Sequence, residues 1–293
     1  MINLNNQHSF QNIAGEGTLY IVPTPIGNLD DITIRALNTL KLVDLIAAED
    51  TRHTRKLLTH FDIHCALISY HEHSQEHKKD QLISQLEAGK QIALVSDAGM
   101  PGISDPGTPL IQAAIAKQIK VIVLPGANAA LCALVGSGLD TRQFYFYGFL
   151  PRKNKEREQA LTFLKSQTST LLIYESPYRV KSTLIELEEM LGDRKATLAR
   201  ELTKKFEQYV RGSLSEIRAW SEANEVKGEC CLVIEGGNLE AIEQSKWWIA
   251  YTVVEHIQYY MSNDELSSKE AIKLVAKDRE MKKRDVYNQY HIE

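Results

Sequence analysis

The stretch Ile92–Gly107, which reads IALVSDAGMPGISDPG, determines how the rest of the chain is interpreted. It opens with the apolar run Ile92–Val95, which is typical of a buried strand. Glycine, proline and aspartate are so dense after Ser96 that neither a strand nor a helix interior can continue. From Leu110 onward, apolar residues recur at helical spacing. The sequence therefore predicts a strand, a rigid loop and a helix, and α/β proteins bind ligands at such loops. The alternative is a long surface turn, for which one or two special residues would suffice.

Three other predicted strands of this half also end in loops rich in glycine, proline or charge. Each strand and its loop are Leu19–Val22 with Pro23–Asn28, Val43–Ala48 with Glu49–Arg55, and Val121–Leu124 with Pro125–Asn128. Helices alternate with these strands, so the sequence predicts a parallel sheet whose loops converge at one edge. The glycines allow the backbone to approach a ligand closely, and a flat, nucleoside-like ligand fits such loops.

The fold class predicted for the whole chain is α/β, with two α/β domains and a small helical C-terminal module. The predicted boundaries are a loose segment at 1–17, the parallel-sheet domain at 18–142, an α+β domain at 143–238 and the helical module at 239–293. The strands predicted in the second domain are Phe144–Phe149, Thr170–Tyr174, Ala196–Ala199, Gln208–Val210 and Cys230–Ile234.

Composition narrows the class of protein. Of the 293 residues, 43% are hydrophobic and 25% are charged, so a packed core is expected. The net charge of −4 gives no overall nucleic-acid signature, so any RNA site must be a local patch. The N-terminus lacks a signal-peptide pattern, and no segment approaches the length of a membrane span. We therefore expect a cytoplasmic protein.

The four cysteines, which include the adjacent pair Cys230 and Cys231, form no CxxC motif. They are interpreted as reduced core residues, and the adjacent pair would point to opposite faces of a strand. The segment Tyr70–His73 carries two histidines on one side but no evident third ligand, so no metal is predicted. GxGxxG after the first strand and the Walker loop are both absent, which disfavours NAD enzymes and P-loop NTPases.

Three charged segments remain open between a structural and a functional interpretation. Glu49–Lys56 could be a solvated helix start, capped by Asp50 or Thr51. Glu175–Arg179 could be a proline-bearing turn at a strand end, and Arg200–Lys205 could be an exposed face.

Seven segments, in order, resemble the ribosomal RNA small subunit methyltransferase I family of tetrapyrrole-methylase-like, class III S-adenosylmethionine (SAM) enzymes. They are LYIVPTPIGNLDDIT (19–33), LIAAEDTRHT (45–54), LVSDAGMPGISDPG (94–107), LPG (124–126), GFLPRK (148–153), YESPYR (174–179) and ARELTK (199–204). The resemblance extends from about Leu19 to Glu235, and the helical tail is similar to the helix-turn-helix-like module of that family.

The resemblance implies two α/β domains with SAM in the cleft between them, usually in a homodimer. It also implies 2′-O-methylation of a cytidine ribose in the decoding region of 16S rRNA in the 30S subunit, with no role for DNA or a membrane. The implied SAM-contacting residues are Ile26, Ser96, Asp97, Ala98, Gly102, Ile103, Asn128, Ala129, Glu175, Ser176, Ala199, Arg200 and Glu201. Two positions depart from the family: Met100 stands where threonine is usual, and Ala127-Asn128 replaces a proline and a small residue.

Methyl transfer to a ribose hydroxyl needs a base, and Asp97 or Glu49 is the candidate. RNA contact is expected from local basic segments, namely Arg52–Lys56, Arg152–Arg157 and Lys282–Arg284. The individual residues expected to contact RNA are Arg52, His53, Arg55, Arg152, Lys153 and Arg179.

Two other functions remain open at this point. A methylase of the same fold could act on a tetrapyrrole or another small molecule, and methyl incorporation into 30S subunits or into a porphyrinoid would distinguish these substrates. A non-enzymatic ribosome-assembly factor could use the cleft only for docking, in which case it would not bind SAM.

Overall fold

The structure, a computed structural model, describes residues 6–9, 15–71, 75–238, 247–279 and 281–291. Its contacts divide the chain into two compact units, residues 1–236 and 237–293. No helix among the described residues is long and apolar enough to cross a membrane.

A five-stranded parallel sheet forms the first half of unit 1–236, with strand order β3-β2-β4-β1-β5. Its strands are β1 Thr18–Ile21, β2 Leu45–Ala48, β3 Ala66–Ser69, β4 Gln91–Val95 and β5 Lys120–Val123. The central strand β1 pairs with β4 and β5, so the loops after these strands emerge side by side. The four predicted strands and their parallel arrangement are confirmed. The edge strand β3 was not predicted. It is only four residues long and has no fully buried side chain, so its sequence carries little periodic signal.

Helices connect these strands and cover both faces of the sheet. They are α1 Ile34–Leu42, α2 Thr51–His60, α3 Gln75–Glu87, α4 Thr108–Ala116 and α5 Ala129–Ser137. Two apolar clusters lie on opposite faces of the sheet, as alternating side chains require; Ile46 and Ala93 belong to one, and Leu19 and Leu94 to the other. The predicted α/β class is thereby confirmed.

A mixed five-stranded sheet forms the second half of this unit, with strand order β6-β7-β10-β8-β9. Its elements are β6 Phe144–Phe149, α6 Asn154–Lys165, β7 Thr170–Glu175, α7 Val180–Leu191, β8 Lys195–Arg200, β9 Gln208–Ser213, α8 Leu214–Ala223 and β10 Cys230–Ile234. The last strand, β10, lies in the centre and pairs antiparallel with both β7 and β8.

Helix α5 joins the two halves, because it packs on the second sheet although it precedes it in sequence. Ala130, Ala133 and Leu134 share one buried cluster with Leu172 and Val233. The same cluster also includes Ile26, which follows β1. This buried cluster therefore contains residues from both sides of the predicted domain boundary at residue 142.

The cysteines differ from the prediction at one position. All four are free, and Cys230 and Cys231 are buried in separate clusters on the two faces of β10, as predicted. Cys65 is half-buried, whereas Cys132 is exposed. The interpretation of Cys132 as a core residue was wrong, because it lies on the outer side of α5.

The described residues of unit 237–293 are mostly helical, which confirms the predicted helical C-terminal module. Its described elements are a 3-10 turn at Trp247–Ala250 and three helices, α9 Val253–Asn263, α10 Ser268–Asp278 and α11 Lys283–His291. Capping boxes begin α9 at Thr252 and α10 at Ser267. Apolar side chains from all three helices, including Ile257 and Val286, form its core.

Candidate active site

The loops at the carboxyl ends of the first sheet and the residues facing them from β7, β8 and β10 enclose a cavity of about 360 Å³. We name it the first cavity. Its volume lies in the range of ligand-binding pockets. It therefore occupies the edge at which the sequence predicts a ligand.

Two of the loops are joined by a short antiparallel bridge between Thr24 and Gly99. The backbone amide of each donates to the carbonyl of the other, at 2.9 and 3.0 Å. The Thr24 hydroxyl also donates to the Ser96 carbonyl at 3.1 Å, and the buried Ser96 hydroxyl donates to the Gly99 carbonyl at 3.2 Å. Ser96 therefore holds the loop in shape, and its side chain does not line the first cavity.

Glycine is required where these loops approach other backbone. Gly99 has φ +81°, and a Cβ there would lie 3.3 Å from the Ile26 side chain. A Cβ at Gly27 would lie 2.9 Å from the Leu202 carbonyl oxygen, in the second half of the unit. Substitution at Gly27 would thus separate the two walls of the cleft.

Three carboxylates from the first sheet line the first cavity. Glu49 follows β2 and Asp97 follows β4, and the Asp97 amide faces the Glu49 carboxylate at 3.4 Å. The Asp97 carboxylate accepts a hydrogen bond from the Asp50 amide at 3.0 Å, which ties the loop after β4 to the start of α2. Asp105 is the third carboxylate.

The proton affinities of two of these groups are unusual. Burial and then the neighbouring Glu49 raise the pKa of Asp105, a hydrogen bond with Ser96 opposes them, and the net result is a pKa of about 7. Burial followed by the proximity of Asp97 raises the pKa of Glu49. The cavity therefore brings acidic groups close together, and a positively charged ligand would favour their ionised forms.

The start of α5 forms another wall. The Asn128 side chain accepts a hydrogen bond from the Leu131 amide at 3.0 Å and so caps α5. The Ala130 amide donates to the Tyr174 hydroxyl at 3.0 Å, and burial raises the pKa of Tyr174. The departure at Ala127-Asn128 thus supplies a helix cap. Met100, the other departure, is half-buried, lines the cavity and packs beside an apolar cluster.

Glu175, at the end of β7, anchors a buried polar network. The residue is 2% exposed, and its carboxylate accepts hydrogen bonds from the Ser176 amide at 2.9 Å and the Thr183 hydroxyl at 2.7 Å. Arg179 lies 3.6 Å from one carboxylate oxygen, and Arg157 lies 4.0 Å from the other. Glu175 therefore positions this wall of the cavity through its neighbours.

A second cavity of about 460 Å³ adjoins the first, and Ile26, Asp97, Ala98 and Glu229 line both. Helix α2 contributes its other wall. This second cavity has a different charge from the first, because His53, Lys56 and His60 on α2 and Lys204 from the second half all line it.

The structure brings most of the residues predicted to contact SAM to the first cavity. Those lining it are Ile26, Asp97, Ala98, Ile103, Asn128, Ala129, Glu175, Ser176 and Ala199, together with the predicted base Glu49. Four do not line it: Ser96, Gly102, Arg200 and Glu201. The Arg200 side chain instead binds Gln208 at 2.7 Å, and Glu201 pairs with Lys204 at 3.0 Å, so both stabilise the second sheet.

Five of the six residues predicted to contact RNA are exposed, and these five lie in two groups. Arg52, His53 and Arg55 lie on α2, and Arg152 and Lys153 are exposed before α6. Arg179 instead lies against Glu175 and donates to the Leu150 carbonyl at 3.3 Å, which argues against a role in RNA contact.

Arg157, within the basic stretch expected to meet RNA, is only 7% exposed. It pairs with Glu186 and donates to the Thr183 hydroxyl at 2.7 Å. The expectation of RNA contact at this position was wrong, because its side chain is enclosed by α6 and α7.

Sequence reasoning missed several residues of the two cavities. Asp105 was interpreted only as part of a turn, although an acid inside a glycine-rich loop at a strand end was a usable signal. Glu229, Phe149 and Tyr174 also line the first cavity, but no motif around Glu229 distinguishes it from a surface acid.

The described residues include no cluster of three or more histidine, cysteine or carboxylate side chains placed to hold a metal ion. Glu72 and His73 of the two-histidine segment lie outside the residues that the structure describes.

A parallel sheet, a mixed sheet and a ligand cleft between them define a tetrapyrrole methylase-type protein, and the sequence model for Tetrapyrrole (Corrin/Porphyrin) Methylases matches residues 18–218. Uroporphyrin-III-C-methyltransferase from Thermus thermophilus shares the fold, with a TM-score of 0.52 at 19% identity over 75% of this chain and 92% of that one. Two proteins named ribosomal RNA small subunit methyltransferase I are much more similar. The one from Halalkalibacterium halodurans is 51% identical over 99% of this chain and 100% of its own length, and the one from Bacillus subtilis is 49% identical over 99% of each. The chain belongs to the ribosomal RNA small subunit methyltransferase I family.

Proposed function

We propose that this protein transfers the methyl group of SAM to the 2′-hydroxyl of a cytidine ribose in the decoding region of 16S rRNA, within the 30S subunit. The observation that carries the proposal is the junction of an acidic first cavity with a basic second cavity at Asp97. An acidic cavity suits a cationic methyl donor, and a basic one suits a phosphate-bearing acceptor. The names of the close relatives support an rRNA substrate.

The residues of the first cavity fit SAM in both polarity and charge. Apolar side chains such as Ile26, Phe149 and Leu202 offer contacts to a flat adenosine, and Gly99 beside Ile26 adds no side chain to the cavity. Glu49, Asp97 and Asp105 complement the sulfonium and amino groups. When bound, SAM supplies an electrophilic methyl group.

The residues of the chain would then orient the acceptor and remove its proton. Asp97 is the better candidate for the base, because it lines both cavities whereas Glu49 lines only the first. Positioning of the reacting groups can lower the barrier by about 7–11 kcal/mol, and a base adds about 10²–10⁴-fold. Arg52, His53, Arg55, Arg152 and Lys153 are the proposed RNA contacts on this unit.

We propose that the protein acts in the cytoplasm as a homodimer. Leu131 and Val135, one turn apart on α5, are 48% and 74% exposed. Burying these apolar side chains against a second copy would be favourable. Sedimentation measures whether the assembly contains two chains.

The decisive experiment supplies the purified protein with radiolabelled SAM and 30S subunits from a strain that lacks it. We expect label in 16S rRNA, at the 2′-oxygen of one cytidine. Label in a porphyrinoid but not in RNA would favour the small-molecule methylase, and absence of SAM binding by calorimetry would favour the assembly factor.

The affinity for SAM is expected to rise with pH. Asp105, with a pKa of about 7, is largely neutral at pH 6 and ionised at pH 8. Because the ionised form attracts a cation, SAM binding should release a proton below pH 7 and tighten about 3- to 10-fold from pH 6 to pH 8. Calorimetry in buffers of different ionisation enthalpy measures both effects.

The matched variant is Asp105→Asn, which removes the titrating group and should leave the affinity nearly flat across this range. A wild-type affinity that does not change with pH would show that Asp105 does not interact with the bound cation.

A further inference from the structure

We infer that the second cavity is the pocket for the acceptor nucleotide and that a groove along α2 carries the RNA strand away from it, with Lys56 and His60 as contacts to phosphate. This inference rests on the proposed function, and to the basic segment Arg52–Lys56 predicted from the sequence it adds an acceptor pocket, a path for the strand and a contact at His60.

The second cavity has the position that an acceptor pocket requires. Asp97 and Ala98 separate it from the first cavity and line both. A ribose placed in it would therefore lie beside the proposed base and face the donor across the loop after β4. Its volume of about 460 Å³ exceeds that of the first cavity, which leaves room for a base and its phosphate.

A groove on the outer side of α2 adjoins this cavity and shares lining residues with it. Lys56 and His60 line both the second cavity and the groove, which also includes Arg52, Arg55 and Thr59. We name this surface the α2 groove. A strand leaving the second cavity past Lys56 would enter it directly.

Helical spacing aligns the cations of the α2 groove. Arg52, Lys56 and His60 follow each other at intervals of four residues, so they form one row with steps of about 6 Å. The opposite side of the helix carries the buried Thr54 and Leu58, so the row faces away from the sheet. Such a row can contact successive phosphates of one strand.

Charge pairing and position together identify Lys56 as the strongest phosphate contact. Arg52 is paired with Asp50 at 2.6 Å, and Lys204 with Glu201 and Glu229 at 3.0 Å each. Within the part of the chain that the structure describes, no carboxylate lies within ion-pair distance of Lys56. Its charge is therefore available to an anionic ligand. Arg55 also has no ion pair among the described residues, but it lines only the α2 groove, whereas Lys56 lines the second cavity as well. A groove that extends beyond the cavity favours a polymer over a single small anion.

The test compares Lys56→Ala and His60→Ala with Lys41→Ala. Lys41 is another exposed lysine, on α1, but it precedes β2 and so lies at the opposite edge of the sheet. Methyl transfer to 30S subunits is measured at saturating SAM over a range of salt concentrations, with SAM affinity measured by calorimetry.

We expect Lys56→Ala to raise KM for the subunit about tenfold, to lower the salt dependence of log KM by about 0.7, and to leave SAM affinity and kcat close to wild type. His60→Ala should have a smaller effect in the same direction, and Lys41→Ala should have none.

Equal KM and salt slope for Lys56→Ala and Lys41→Ala would overturn the inference while the wild-type enzyme still methylates the subunit. A loss of SAM affinity or of kcat alone would also overturn it, because Lys56 would then act in the first cavity or the chemistry. Failure of the wild type to methylate any RNA, or methylation of a porphyrinoid in its place, would instead refute the proposed function itself.

Discussion

Replacement of Asp97 by asparagine is expected to lower kcat for methyl transfer by about 10²–10⁴-fold, the range that a general base contributes. The amide retains an oxygen that can accept the hydrogen bond from the Asp50 backbone, which is 3.0 Å long in the wild type. Loop geometry should therefore survive while the capacity to accept a proton is lost. Single-turnover transfer to 30S subunits at saturating SAM measures the effect.

Glu49→Gln is the matched control, because Glu49 neighbours Asp97 but does not line the second cavity. It should weaken SAM binding more than it slows the chemical step. If Asp97→Asn were within threefold of wild type and Glu49→Gln lost activity, Glu49 would be the base. Unchanged turnover in both variants would exclude either acid from proton transfer.

Arg157→Ala is expected to lower the free energy of unfolding by about 3–5 kcal/mol. Removal of one partner from a buried network of charges leaves the other uncompensated, and here Glu175, 2% exposed, would lose one of its two arginine neighbours. The Thr183 hydroxyl would also lose the guanidinium that donates to it. Urea denaturation followed by circular dichroism gives the change.

Arg152→Ala provides the comparison, since Arg152 is an exposed arginine five residues earlier in the same basic stretch. Its unfolding free energy should remain within about 0.5 kcal/mol of wild type, while binding to 30S subunits weakens. If Arg157→Ala were as stable as Arg152→Ala and instead bound subunits poorly, the original expectation of RNA contact at Arg157 would be restored.

The first sheet could be predicted from sequence because its strands are short apolar runs that stop abruptly. Ile92–Val95 is buried on both faces of the sheet, and the residues after it forbid regular structure. Helix α8 was missed although Ser213 and Glu216 form a capping box at its start, a signal readable from the sequence. The placement of α5 on the second sheet could not be read, because an alanine-rich helix that is apolar on most sides does not specify its partner.

Some residues of the candidate site could likewise be predicted from the sequence, and others could not. Asp97 could be placed because it follows β4 directly and the carboxyl ends of parallel strands share one edge, and Glu175 could be placed because it ends an apolar strand run. Arg157 and Arg179 could not be assigned from sequence, since their burial depends on Glu175 and Glu186 from other elements. Asp105 acquires its raised pKa from burial and from neighbouring acids that only the fold assembles.

The central position of β10 has a consequence for synthesis of the chain. β10 is the last strand of its sheet to leave the ribosome, yet β7 and β8 are both bonded to it. Until Ile234 emerges, the halves of that sheet have no common strand and the α5 cluster lacks Val233. Cys230 and Cys231 at the start of this strand also line the first cavity. A nascent chain therefore has no complete cleft until β10 has emerged from the ribosome.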